Sequence, residues 1–149
     1  TAMPSSNVDT PNTDILAAVM NAILPGGDGF PSARPQRFGG AMMADAAKDN
    51  DTEMVRDLLS KLPETFVALE PGDQVAALQT LEASETVAFS KMIRHAYHAY
   101  YTDSDVRSAI EEITGYPARP PHFEGYEMEP FDAKVVAVQR QREPFWRKV

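Results

Sequence analysis

The chain has 149 residues, no cysteine, and 22 acidic against 14 basic side chains, for a formal net charge of -8. That length holds one domain with a real core, the acidity excludes a general phosphate-backbone binder, which needs a basic face to release counterions, and the lack of cysteine excludes a disulfide framework or a thiolate metal site. No apolar run approaches the roughly 20 residues that span a bilayer, and with no basic-then-apolar leader the chain reads as one lacking an export signal or already cleaved.

Thr1 to Thr13 is small, polar and broken by Pro4 and Pro11, too poor in apolar surface to offset the entropy of ordering, so residues 1–13 are expected to form a flexible arm. From Asp14 the spacing of Ile15, Leu16, Val19, Met20 and Ile23 predicts an amphipathic helix with Asn12 or Thr13 as its N-cap. Pro25-Gly26-Gly27 should end it. Residues 25–40 hold five glycines and three prolines and read as a long loop. A phosphate cradle would leave a strand and precede a lysine; this run leaves a helix and lacks the lysine, so its role is structural. A short helix is expected over Ala41 to Lys48, which is rich in good helix formers.

Met54, Val55, Leu58, Leu59 and Leu62 repeat the helical spacing behind a cap at Asp51 or Thr52 and ahead of Pro63. Phe66, Val67 and Leu69 form an apolar connection or a single turn. Pro71 suits the first position of the next helix, whose Val75, Leu78 and Leu81 should face inward while Asp73, Gln74, Gln79 and Glu82 face water.

The stretch Ser84 to Tyr116 is the one around which the rest is organised. Val87 to Tyr101 sets apolar or aromatic side chains nearly all round a helical wheel, so this helix should be central and buried on most sides. Ser84 is its expected N-cap, with Phe89, Ile93, Ala96 and Tyr100 on one stripe and Tyr97 with Tyr101 on a neighbouring one. Thr102-Asp103-Ser104 breaks it and starts a shorter helix carrying Val106, Ile110 and Ile113, which Thr114-Gly115 caps and Tyr116-Pro117 stops.

Beyond Tyr116 the prolines multiply and neither helical nor strand period survives, so the chain should run extended. Disorder is the bland alternative, but the segment carries Met128 and, at Tyr116, Phe123, Tyr126 and Phe131, more aromatics than ordinary linkers. A strap docked on the helical body or on a partner is favoured. Asp132 can cap a last helix, Ala133 to Arg142, before Pro144-Phe145-Trp146. The strap is acidic at Glu124, Glu127, Glu129 and Asp132 and the end is basic at Arg140, Arg142, Arg147 and Lys148, a polarity that would orient a docked tail. The expected architecture is all-α: a compact bundle of short helices over residues 14–115, with the strap and short helix of residues 116–149 in the same domain.

His95 and His98, three apart on one helix face, are near enough to share a metal. No further ligand stands at a recognisable spacing, and on a helix this rich in tyrosine they read as hydrogen-bonded structural histidines. Glu111 and Glu112 are adjacent and diverge on a helix, which fits a solvated face rather than acid–base work. No serine has a flanking elbow or an identifiable base. The chain is therefore expected to carry no catalytic, cofactor or metal site of its own. Trp146, alone among basic residues, is a core anchor or an interface hot spot.

Three pieces in order, LPGGDGFP at Leu24 to Pro31, AYHAYYTDSDV at Ala96 to Val106, and GYPARPP followed by GYEMEPFD, resemble the gluconate 2-dehydrogenase subunit 3 family. These are the small subunits of flavin-dependent sugar and polyol dehydrogenases of the glucose-methanol-choline type, and the likeness covers about residues 14 to 149. The resemblance implies a non-catalytic helical partner in a heterodimer. FAD and the catalytic histidine would belong to the large subunit, which this chain would bind and stabilise, with no cofactor bound by this chain. Exported members carry a twin-arginine signal; this sequence shows none, which implies a cytoplasmic protein, with a periplasmic one after signal cleavage as the alternative. Partner contacts are expected at Tyr116, Phe123, Tyr126, Phe131 and Trp146, apolar side chains in segments with little regular structure of their own. Two other readings stay open: a self-contained helical adaptor that binds a peptide or regulates another protein, and a small metalloprotein using His95, His98 and His122.

Overall fold

The computed structural model describes residues 12–117 and 129–142. The chain divides into two units, Thr1–Ala118 and Arg119–Val149. In the first unit the helices are α1 (Thr13–Ile23), α2 (Gln36–Lys48), α3 (Thr52–Ser60), a 3-10 turn at Phe66–Ala68, α4 (Pro71–Ser84), α5 (Thr86–Tyr101) and α6 (Ser104–Thr114). The second unit holds a 3-10 turn, Ala133–Val136, that runs into a single α turn, α7 (Ala137–Arg140). The described residues contain no strand, and the body is the all-α bundle that its periodicity predicts. None of its helices is long and apolar enough to cross a membrane.

α5 is central, packing most extensively on α2 and also on α3, α4 and α6. Its buried face is Phe89, Met92, His95, Ala96, Ala99 and Tyr100. The expectation of burial on most sides is corrected, because Val87, Tyr97 and Tyr101 are exposed. A bundle this small has no second layer to cover the far face of its central helix. Ser84 is likewise not the cap of α5. It ends α4, and its hydroxyl donates to the Leu81 carbonyl at 3.1 Å.

α2 starts at Gln36, five residues before the expected Ala41, and runs through Gly39 and Gly40. Burial decides this against propensity: Phe38 and Met42 enter the core, and Gly39 lies so close to α1 that a Cβ there would stand 2.7 Å from the Leu16 Cβ. The loop before it is correspondingly shorter. It closes on itself through reciprocal Gly27 and Phe30 backbone bonds of 3.0 and 2.9 Å, and Tyr100 donates its hydroxyl to the Pro31 carbonyl at 2.5 Å.

On α4, Leu78 and Leu81 face inward as expected, but at the start of the helix the roles of two neighbours are exchanged. Gln74, expected in water, is buried and donates to the Phe66 carbonyl at 3.0 Å, while Val75 is exposed. The Phe66 carbonyl also accepts from the Leu69 amide at 3.2 Å, so the Gln74 side chain adds a second, longer-range bond that ties α4 to the Phe66–Ala68 turn. Asn12 caps α1 by accepting from the Asp14 amide at 3.0 Å, Asp103 caps α6, and Gly115 closes α6 at φ 71°. The last helix is shorter than Ala133 to Arg142, although Asp132 does cap its first turn by accepting from the Lys134 amide at 2.9 Å.

Candidate functional site

The polar side chains that meet inside the body do so where the end of α2 turns into α3 beneath α5. Asp45 and Lys48 stand on the last turns of α2. Asn50 adopts φ 59°, a left-handed conformation that asparagine tolerates better than most residues, and the Asp51 amide returns to the Ala46 carbonyl at 2.9 Å. This tight reversal aims Asp51 back at α5. Asp51 holds the N-cap position of α3, one of the two expected for it, but its side chain makes no capping bond there.

On α5, Lys91, His95 and His98 share a face at helical spacing. His95 is completely buried. Its Nδ1 lies 2.8 Å from Asp45 Oδ2 and its Nε2 lies 3.0 Å from Asp51 Oδ2. His98 Nδ1 reaches the same Asp45 oxygen at 3.0 Å from the solvent side. Lys91 donates to Asp51 Oδ1 at 2.9 Å, Arg94 to Asp49 at 2.8 Å, and Lys48 sits 3.4 Å from Asp45. The His95 bond, aided by His98 and Lys48 and opposed by burial, holds Asp45 down at about 2. Asp51 is also lowered, chiefly by Lys91 and then by His95.

The histidines are hydrogen-bonded, as the sequence suggests, but to carboxylates rather than to tyrosines. The sequence did not single out Asp45, and it read Asp51 as a cap. The available signal was three aspartates at 45, 49 and 51 spanning one helix end, opposite a lysine and two histidines at helical spacing. Sealed as it is, His95 has no room for a substrate; the cluster can hold a cation, and it locks α2 to α5. A groove of about 420 Å³ beside α1 and α2 is lined by Leu16, Met43 and small residues, with Arg56 its only charged lining residue. It has no acid–base pair.

Of the expected partner contacts, Tyr116 at the end of the body and Phe131 in the second unit are both exposed. Phe123, Tyr126 and Trp146 lie outside the described residues, as do His122 and residues 1–11 of the expected arm. Comparisons with protein families, with curated proteins and with solved structures give no match.

Proposed function

We propose that this chain is a non-catalytic small subunit that binds and stabilises an FAD-dependent sugar or glycoside dehydrogenase large subunit. The observation that carries the binding role is the segment 129–142. None of its described side chains is buried, and it holds Phe131 at 73% exposure ahead of two short turns that carry Val135 at 73% and Val138 at 62%. Turns of this length do not persist on their own propensity, and apolar side chains presented without a core are the mark of a surface meant to be covered. The body adds exposed Val87, Tyr97, Tyr101, Ile113 and Tyr116. The class of partner rests on the order of the three sequence motifs.

The test is purification of the untagged chain from its own host under gentle conditions, with mass spectrometry and a visible spectrum of what comes with it. A stoichiometric flavoprotein of dehydrogenase size supports the reading. A colourless, monodisperse, solitary chain overturns it and favours the stand-alone adaptor, for which the self-contained core of the first unit already speaks.

A further inference from the structure

We propose that Asp45, His95 and His98 form a binding site for one divalent transition cation of the zinc type. The inference is independent of the dehydrogenase reading and starts from the two ring nitrogens of His95. Its Nε2 faces Asp51 Oδ2 at 3.0 Å, and the other oxygen of Asp51 is held by Lys91 at 2.9 Å. With its proton on Nε2, the ring donates to Asp51 and turns the lone pair of Nδ1 toward Asp45. His98 Nδ1 converges on that same carboxylate oxygen, so two imidazole nitrogens and one carboxylate oxygen surround a single point. Three such atoms in one place are reconciled either by ring N–H protons donated to the carboxylate or by one metal ion that all three ligate.

The donor set selects the metal. Two imidazoles and a carboxylate suit zinc and its transition-metal neighbours, whereas calcium and magnesium take oxygen ligands. A metal-bound histidine almost always donates its second N–H to a carboxylate that fixes its tautomer, and Asp51, braced by Lys91, stands where that partner belongs. Bonds of about 2.1 Å at a tetrahedral angle separate ligand atoms by roughly 3.4 Å; the observed 2.8 and 3.0 Å contacts therefore need to open by about half an ångström. Asp45 and the 58% exposed His98 side chain can make that move while buried His95 stays fixed.

A rival grouping of Asp49, Asp51 and His95 is also close-set. There Arg94 sits 2.8 Å from Asp49 and 3.7 Å from Asp51, and Lys91 already neutralises Asp51. A divalent ion would be repelled from it. Asp45 has only the outlying Lys48, on a mostly exposed side chain that is free to swing away.

The test uses the full-length untagged chain, stripped by a chelator and titrated with Co²⁺ while its visible d–d absorbance is followed. The expected result is saturable binding of one equivalent, with the colour bleached by Zn²⁺. His98→Ala, at an exposed position that leaves the core alone, should weaken binding by at least about tenfold, and His122→Ala should leave it unchanged. Absence of saturable colour overturns the proposal. So does a His98→Ala protein that binds like wild type, or loss of binding in His122→Ala.

Discussion

Asp103 serves two elements with one carboxylate. Its Oδ1 accepts from the amides of Asp105 and Val106 at 3.0 and 3.3 Å, capping α6, and Arg37 of α2 forks onto both of its oxygens at 2.9 and 3.2 Å. The Arg37 bond, with the two amides behind it and burial opposing, holds the group below the ordinary value of 3.8. A carboxyl depressed by folding stabilises above its unfolded pKa, and that contribution is lost as pH falls through the folded one. Asp103→Ala should therefore cost about 1–2 kcal/mol near neutral pH, and the gap to wild type should narrow below pH about 4; urea melts of both proteins near neutrality and in acid check this. Gln74→Ala should cost about 0.5–1.5 kcal/mol, since it removes one of the two hydrogen bonds to the Phe66 carbonyl and leaves the Leu69 amide as its remaining donor, and a denaturant midpoint indistinguishable from wild type would refute it. The two residues differ in how far the sequence exposed them. Asp103 sits in a helix-start pattern with Ser104 after it, so its cap was legible. The burial of Gln74 depends on a carbonyl eight residues earlier in a 3-10 turn, which no periodicity encodes.

At the scale of the element, α2 is where local rules and tertiary packing disagree, and its two adjacent glycines separate the causes. Gly39 lies against α1, where an added Cβ would stand 2.7 Å from Leu16 Cβ; Gly40, one residue on, would meet nothing within 4 Å. Gly39→Ala should push α1 and α2 apart at a cost of about 1–3 kcal/mol. Gly40→Ala fills open space in a helix and should stabilise by about 0.5–1 kcal/mol. Thermal melts of the two single variants must move in opposite directions; equal shifts would mean that packing against Leu16 does not set the glycine. The same contrast explains which helices could be read in advance. α1 and α3 announce themselves by apolar residues at helical spacing and clean ends, whereas the first turn of α2 hides behind Pro35 and two glycines because its reason for being helical lies on another helix. The Asp45–His95–Asp51 cluster was hidden for the same reason, its members being 44 and 50 residues apart in the chain.

At the scale of the molecule, the buried core among the described residues runs from Leu16 to Val106, in the first unit. Hydrophobic stabilisation follows the apolar area removed from water, so the described side chains of residues 129–142, none of which is buried, contribute little of it. The all-α body was legible because helical period survives in single elements. The fate of the aromatic C-terminal segment was not, because an extended or singly turned chain has no period, and its apolar side chains are explained only by what they meet. On the proposed small-subunit reading, a chain ending at Ala118 should unfold at nearly the same denaturant concentration as the full protein, within about 0.5 kcal/mol, and at the same time fail to retain the proposed flavoprotein partner. The two measurements are independent. If the truncated body lost several kilocalories per mole, Phe131, Val135 and Val138 would belong to a segment that holds the body together, and the partner-binding role would lose its support. If the body stayed stable and still kept its partner, the contact surface would lie instead on the exposed Tyr97, Tyr101 and Tyr116 of the helical unit. Only a stable body that has lost its partner matches a segment whose apolar side chains are kept for another protein.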